Sequence, residues 1–304
     1  MNWWPARTKM AEARKLRVGM IGAGEVAQVI HIPTLQLLDH LYSIVAICDI
    51  SKKSADHCAS KFRIPAATDP EEILTNPEID VVFVLTSDEF HDLYTVAALQ
   101  HGKHVFVEKP MTLSIPSAKR IVDAERAANG PSVFVGYMRR YAPSFVNAFK
   151  REMATIPKIL YARSRDIIGP NSHFVGQSGT FPLRSTDFPP EAGKKRADIL
   201  DILFKEAFDG QEITPVKQLY CRFLGGLGSH DLSLMREALG GLPESVAGVS
   251  VNEPFYSAIF NYRNRDGSPY AVTYETGRDK VGRFDAHLAV YGENKTVSIH
   301  YDTA

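Results

Sequence analysis

Cysteine is scarce in this chain, with three among 304 residues, at positions 48, 58 and 221. An odd count without metal-ligand spacing argues against both a disulfide framework and a metal cluster, so no metal is expected and a reducing cytoplasm is the default compartment. Net charge is missing as well. The 35 Lys plus Arg balance the 35 Asp plus Glu, leaving no sequence-wide field to draw in nucleic acid directly. Long apolar runs are also lacking, and none approaches the roughly 20 residues of a membrane span. A soluble protein without a membrane partner is expected. The first seventeen residues hold Trp3, Trp4 and five basic side chains but no apolar core, which argues against a secretory signal. Residues 1–14 are read as a flexible leader.

What the chain does have is core material: 44% of it is hydrophobic, enough for two domains. From 15 to 136, short β-rich runs alternate with helical patterns, the rhythm of a parallel sheet covered on both faces. The runs are Arg17 to Ile21, Ser43 to Asp49, Val81 to Leu85, His104 to Val107 and Ser132 to Val135. Pro33 falls inside the first helix pattern and should bend or shorten it. From 137 to 304 the rhythm changes. A strand pattern at Ile159 to Ile168 leads into a Gly-, Pro- and Ser-rich stretch, Gly169 to Lys195, long for a structureless loop and suited to a substrate lid or an oligomer contact. Helical patterns near Ala197 to Phe208 and Ser229 to Leu239 precede five β-like runs without helices between them. The predicted fold class is therefore α/β: an N-terminal Rossmann doubly wound parallel sheet, then an α+β domain with an open, largely antiparallel sheet. The chain stops soon after the last strand pattern, which suggests a shortened C-terminus.

The first strand runs into Gly22-Ala23-Gly24-Glu25-Val26-Ala27, a Gly-x-Gly-x-x-Ala turn at the start of a helix. Gly22 would let the chain turn off the strand, Gly24 would let the backbone approach a pyrophosphate, and Ala27 would keep the helix near the sheet. The phosphates would then meet unpaired N–H groups at a helix N-terminus. Asp49 ends the second strand 25 residues after Gly24, where a carboxylate can take the adenosine ribose hydroxyls. That favours NAD. Lys52 and Lys53 just beyond it could hold a 2′-phosphate, so NADP stays open. Right-handed crossovers bring the loops after each strand to one sheet edge, which would collect these residues with Thr86 to His91 and Glu108-Lys109-Pro110.

Taken together, Gly22 to Ala27, Thr86 with His91, Gly102-Lys103-His104-Val105-Phe106-Val107-Glu108-Lys109-Pro110 and Gly136-Tyr137-Met138-Arg139-Arg140-Tyr141 resemble the glucose-fructose oxidoreductase and inositol dehydrogenase (Gfo/Idh/MocA) family. The likeness spans nearly all of the first domain. It implies a nicotinamide dinucleotide cofactor held by Gly22, Ala23, Gly24, Glu25, Val26, Asp49, Lys53, Thr86, Ser87, His91, Glu108 and Lys109. It also implies a small-molecule substrate with a sugar, cyclitol or polyol hydroxyl, and a homo-oligomer formed through the second domain's sheet. Lys109 is then the lysine that meets substrate and takes part in proton transfer, and Arg140 and Tyr141 match an Arg-aromatic pair after the fifth strand. Leu224 to Arg236 resembles the family's catalytic helix, with His230 in the histidine place as general base. The aspartate four residues earlier is Gly226 here, and only Asp231 remains beside His230, where it could orient the imidazole. Two alternatives stay open: a dinucleotide-binding sensor of the galactose-pathway repressor type, and a biliverdin-reductase-like reductase.

Overall fold

The computed structural model describes residues 14–301. The expected leader, Arg14 apart, and the chain's last three residues lie outside them. Two compact units form: one closes at Val135 and also takes in Phe181–Gly210, and the other holds Gly136–Thr180 and the chain from Gln211 onward. The boundary expected at 136/137 lies one residue from the observed break. Residues 181–210, assigned from sequence to the second domain, fold instead with the first.

The first unit is built on six parallel strands, β1 (Leu16–Ile21), β2 (Tyr42–Cys48), β3 (Ala66–Ala67), β4 (Val81–Val84), β5 (His104–Val107) and β6 (Val133–Val135), in the order β3-β2-β1-β4-β5-β6. Successive side chains of one strand go to opposite faces. Accordingly Val18, Met20 and Phe83 join one buried cluster with Ile32 and Leu35, while Ile21, Val82 and Val84 join another with Ile73 and Leu99. Burial on both faces is what makes these strands continuous apolar runs rather than alternating ones.

The helices are α1 (Ile32–Leu37), α2 (Lys52–Phe62), α3 (Glu71–Leu74), α4 (His91–Gln100) and α5 (Ile115–Ala128). Ser51 caps α2 by accepting from the Ser54 N–H at 3.1 Å, and Ser114 caps α5 by accepting from Ser117 at 3.1 Å, with Pro116 in its first turn. Pro33, expected to bend or shorten the helix, lies in the first turn of α1. Residues Ala27–His31 form a wide π turn just ahead of it, which relieves the clash a proline ring makes with the preceding turn.

In the second unit β7 (Ile159–Ile168), β8 (Ser245–Asn252), β9 (Phe255–Arg263), β10 (Pro269–Arg278), β11 (Phe284–Gly292) and β12 (Thr296–His300) form a sheet in the order β12-β11-β7-β10-β9-β8. Only the β7–β10 pair is parallel. Short helices α6 (Lys150–Met153) and α7 (Asn171–Gln177) flank β7 in sequence, so part of the segment expected to be irregular is helical. Unit one regains the chain with α8 (Ala192–Phe208), which begins five residues before the predicted pattern. Back in the second unit, α9 (Pro215–Phe223) was not foreseen from sequence. A π turn, Leu224–Gly228, joins it to α10 (Ser229–Ala238). Helical geometry continues across its glycine pair, and Leu234 and Met235 of α10 bury with Val272, Leu288 and Val290 of the sheet.

Candidate functional site

At the end of β1 the chain turns at Gly22 with φ of +110°, and a Cβ there would lie 2.6 Å from the Leu85 carbonyl carbon and oxygen. No other residue fits this turn. Around Gly24 the reverse holds, with no atom within 4 Å of where its Cβ would stand, so the backbone face is open to a ligand. Asp49, just past β2, accepts from the Ala23 N–H at 2.7 Å and the Ser51 N–H at 2.7 Å. The acid thus ties the glycine turn to the start of α2. Burial pushes the Asp49 carboxyl above its ordinary range, the two backbone N–H groups pull it back, and the Asp187 charge raises it again.

The loops after β4 and β5 reach the same sheet edge. His91, 1% exposed, lies with Nδ1 2.6 Å from the Pro110 carbonyl and Nε2 3.0 Å from the Thr86 carbonyl, bracing one loop against the other. The Thr86 hydroxyl is buried without a hydrogen-bond partner among the described residues. Ser87 donates at 2.8 Å to Glu89, a fully buried carboxylate that also takes Arg196 of α8. Glu108 faces His31 at 2.7 Å and accepts from the Lys109 N–H at 3.1 Å. Burial raises the Glu108 carboxyl, but the His31 hydrogen bond and charge and the Lys109 N–H outweigh it, and the net shift is downward. The Lys109–Pro110 peptide is cis. Val26 and Glu25 complete the turn, and the Lys53 N–H opens α2.

The second unit holds the remaining predicted residues. His230 is 7% exposed at the start of α10, its ring edge-on to Tyr137 at 6.3 Å between centroids. Gly226 lies within the preceding π turn with no atom within 4 Å of its absent Cβ, so packing does not dictate a glycine there. Arg140 pairs with Glu237, which Lys150 also contacts, and Tyr141 is 55% exposed. The buried arginine is its neighbour. Arg139 donates through one nitrogen to Asp166 at 2.9 Å and to Asp231 at 2.6 Å. Asp231, expected to orient the imidazole, therefore faces this guanidinium in the core. Burial, together with the nearby Asp166 charge, pushes its carboxyl well above the usual range, against the pull of Arg139.

Sequence reasoning missed Arg139, Asp166 and Glu89, and it also missed Gln28 and Asp187, which pin residues 183–187 to the first unit. Asp166 carried one readable signal, an acid at an inward position of an alternating strand. Among the described residues no three His, Cys, Asp or Glu side chains form a metal-holding group, and no helix is long and apolar enough to cross a membrane.

Residues 16–137 match the family model described as oxidoreductase family, NAD-binding Rossmann fold. An inositol 2-dehydrogenase of Paracoccus denitrificans is 32% identical over 157 residues, half of this chain and 46% of that protein. The chain thus spans about half the length of the relative it matches. Over both units the fold is that of a myo-inositol 2-dehydrogenase from Lactobacillus plantarum, with a TM-score of 0.69 at 20% identity, covering 94% of this chain and 76% of that one. A scyllo-inositol dehydrogenase from Lactobacillus casei, solved with NAD(H) and scyllo-inositol, gives 0.67 at 17% identity, with 94% and 76% covered.

Proposed function

We propose that this chain, whose residues 16–137 match the model of the Gfo/Idh/MocA oxidoreductase family, is a nicotinamide-dependent dehydrogenase acting on a secondary alcohol of a cyclitol or sugar-like substrate. The observation that carries the reading is the edge of the parallel sheet. There a glycine turn with an open backbone face, an acid at the end of the neighbouring strand and a Glu-Lys-Pro segment stand on the loops after β1, β2 and β5 of a β3-β2-β1-β4-β5-β6 sheet. The residues fit a dinucleotide. Gly22, Gly24 and the following N–H groups would hold the pyrophosphate, Asp49 the adenosine ribose, and the Thr86 hydroxyl, buried without a partner among the described residues, is suited to a ligand. Bound there, the nicotinamide supplies the hydride acceptor or donor.

The protein's part is to bind, orient and move a proton. Lys109 Nζ, at the mouth of β5, is proposed to meet the substrate oxygen, offsetting negative charge that grows on it. His230, in the second unit, is the proposed base for the hydroxyl proton, with neutral imidazole as the acceptor. Asp49 favours NAD over NADP, since a 2′-phosphate would meet a carboxylate. The wholly exposed edge strand β8 suits self-association through the second sheet, with the oligomer's mass in solution as the check. Activity is tested by following reduced nicotinamide absorbance with myo-inositol, other cyclitols, sugars and polyols. Wild-type turnover that falls at least ~10²-fold in Lys109→Ala and in His230→Ala is expected. Indifference to both changes would overturn the assignment of these roles.

A further inference from the structure

The stretch between α7 and α8 crosses the first unit as a strap. Gln28, 3% exposed, donates to the Leu183 carbonyl at 3.1 Å and accepts from the Leu183 N–H at 2.8 Å, while its amide also donates to the Ala23 carbonyl at 2.8 Å. Arg184 pairs with Glu25 at 2.6 Å, and Arg196 of α8 reaches the buried Glu89. These contacts pin the strap beside the glycine turn and carry Asp187 to the start of α2. There the Ser51 hydroxyl donates to Asp187 Oδ1 at 2.5 Å, and the Lys53 N–H donates to Oδ2 at 3.1 Å.

That position matters because the loop after β2 reads the 2′ position of an adenosine ribose. An anion arriving at the start of α2 would look to the Ser51 hydroxyl and the first-turn N–H groups. The Ser51 hydroxyl and the Lys53 N–H are already engaged by the Asp187 carboxylate, and the Ser54 N–H by the Ser51 oxygen. The Lys52 ammonium pairs with Asp56 at 2.6 Å along the helix, and the Lys53 charge acts on Asp187. Asp49 stands on the other side of Ser51, bound to its N–H. Two carboxylates from distant parts of the sequence thus flank one serine, an arrangement that can accept from the hydroxyls of a diol and repels a dianion.

We propose that Asp187 is a specificity-determining residue that, together with Asp49, excludes a 2′-phosphate, so that the chain takes NAD and rejects NADP. The inference rests on the dinucleotide reading above and adds the residue that enforces the choice. A carboxylate a few ångströms from a phosphate dianion costs about tenfold in affinity under water-like screening, so two such acids give about a hundredfold.

The test is a fluorescence titration of NADH and of NADPH into the full chain and into Asp187→Asn, which keeps an acceptor for Ser51 or Lys53. The expected result is wild-type binding of NADH about a hundredfold tighter than NADPH. In Asp187→Asn the gap should narrow about tenfold, through tighter NADPH. An unchanged ratio with NADH still bound overturns the role of Asp187 and leaves the dinucleotide reading standing. Loss of NADH binding in the variant, or a wild-type preference for NADPH, overturns the role as well. Wild-type binding of neither overturns both the role and the dinucleotide reading.

Discussion

Replacing Arg139 by Met should unfold the second unit far more readily than replacing its acidic partner Asp231 by Asn. The Arg139 side chain is 5% exposed, Asp166 is fully buried and the Asp231 side chain is 3% exposed. Removing the guanidinium strands Asp166 in the core without a countercharge, a change that typically costs ~3–5 kcal/mol. It also removes the cation from over the Phe284 and Tyr301 rings, at 5.4 and 5.1 Å, worth ~0.5–1 kcal/mol each. Asp231→Asn differs. Among the described residues one Asp166 oxygen and one Asp231 oxygen are buried without a hydrogen-bonded donor, and an Asn amide supplies that donor while its carbonyl still accepts from Arg139. The change should stay within about 1 kcal/mol at neutral pH. The sign of the pH dependence follows. Because the folded Asp231 carboxyl is raised, the folded state holds a proton that the unfolded chain releases from about pH 4 upward. Its penalty therefore grows as pH rises toward the raised value, and Asp231→Asn should abolish that slope. Amide exchange of β7 and β10 against denaturant reads the second unit specifically. A loss under ~1 kcal/mol in Arg139→Met would refute the argument.

Three further outcomes are expected. Gly22→Ala should cost on the order of 3 kcal/mol, because its methyl meets the Leu85 carbonyl at 2.6 Å with φ at +110°; far-UV circular dichroism melts would show it. Cys48 and Cys58, whose thiols burial pushes up to about 12 and about 11, should resist alkylation in the native protein at neutral pH, as counted by mass spectrometry, and react only on unfolding. Asp80, held well below the usual carboxylate range by Arg17 and Arg14, should add stability above about pH 4 that is lost as pH falls toward its depressed value. In Asp80→Asn, melts across pH 2–6 should lose that part of the acid sensitivity.

The first unit was largely legible because its signals are local. A parallel strand buried on both faces announces itself as an apolar run, and Gly22 and Asp49 are dictated by a turn and a strand end that the chain writes in consecutive residues. The second unit was legible as strands but not as a polar core. Arg139, Asp166 and Asp231 lie up to 92 residues apart in sequence and meet only through packing, which no local pattern records. The strap was invisible for the same reason. Nothing in Arg184 or Asp187 distinguishes it from a solvated loop residue until Gln28 and Ser51 are seen beside it.

The measurement that tests the central claim most directly is a calorimetric titration of NADH into the full chain. Saturable binding at one site per chain, lost in Gly22→Val and weakened in Asp49→Ala, is the predicted result. No heat of binding up to millimolar NADH, from a chain whose circular dichroism shows it folded, would contradict it.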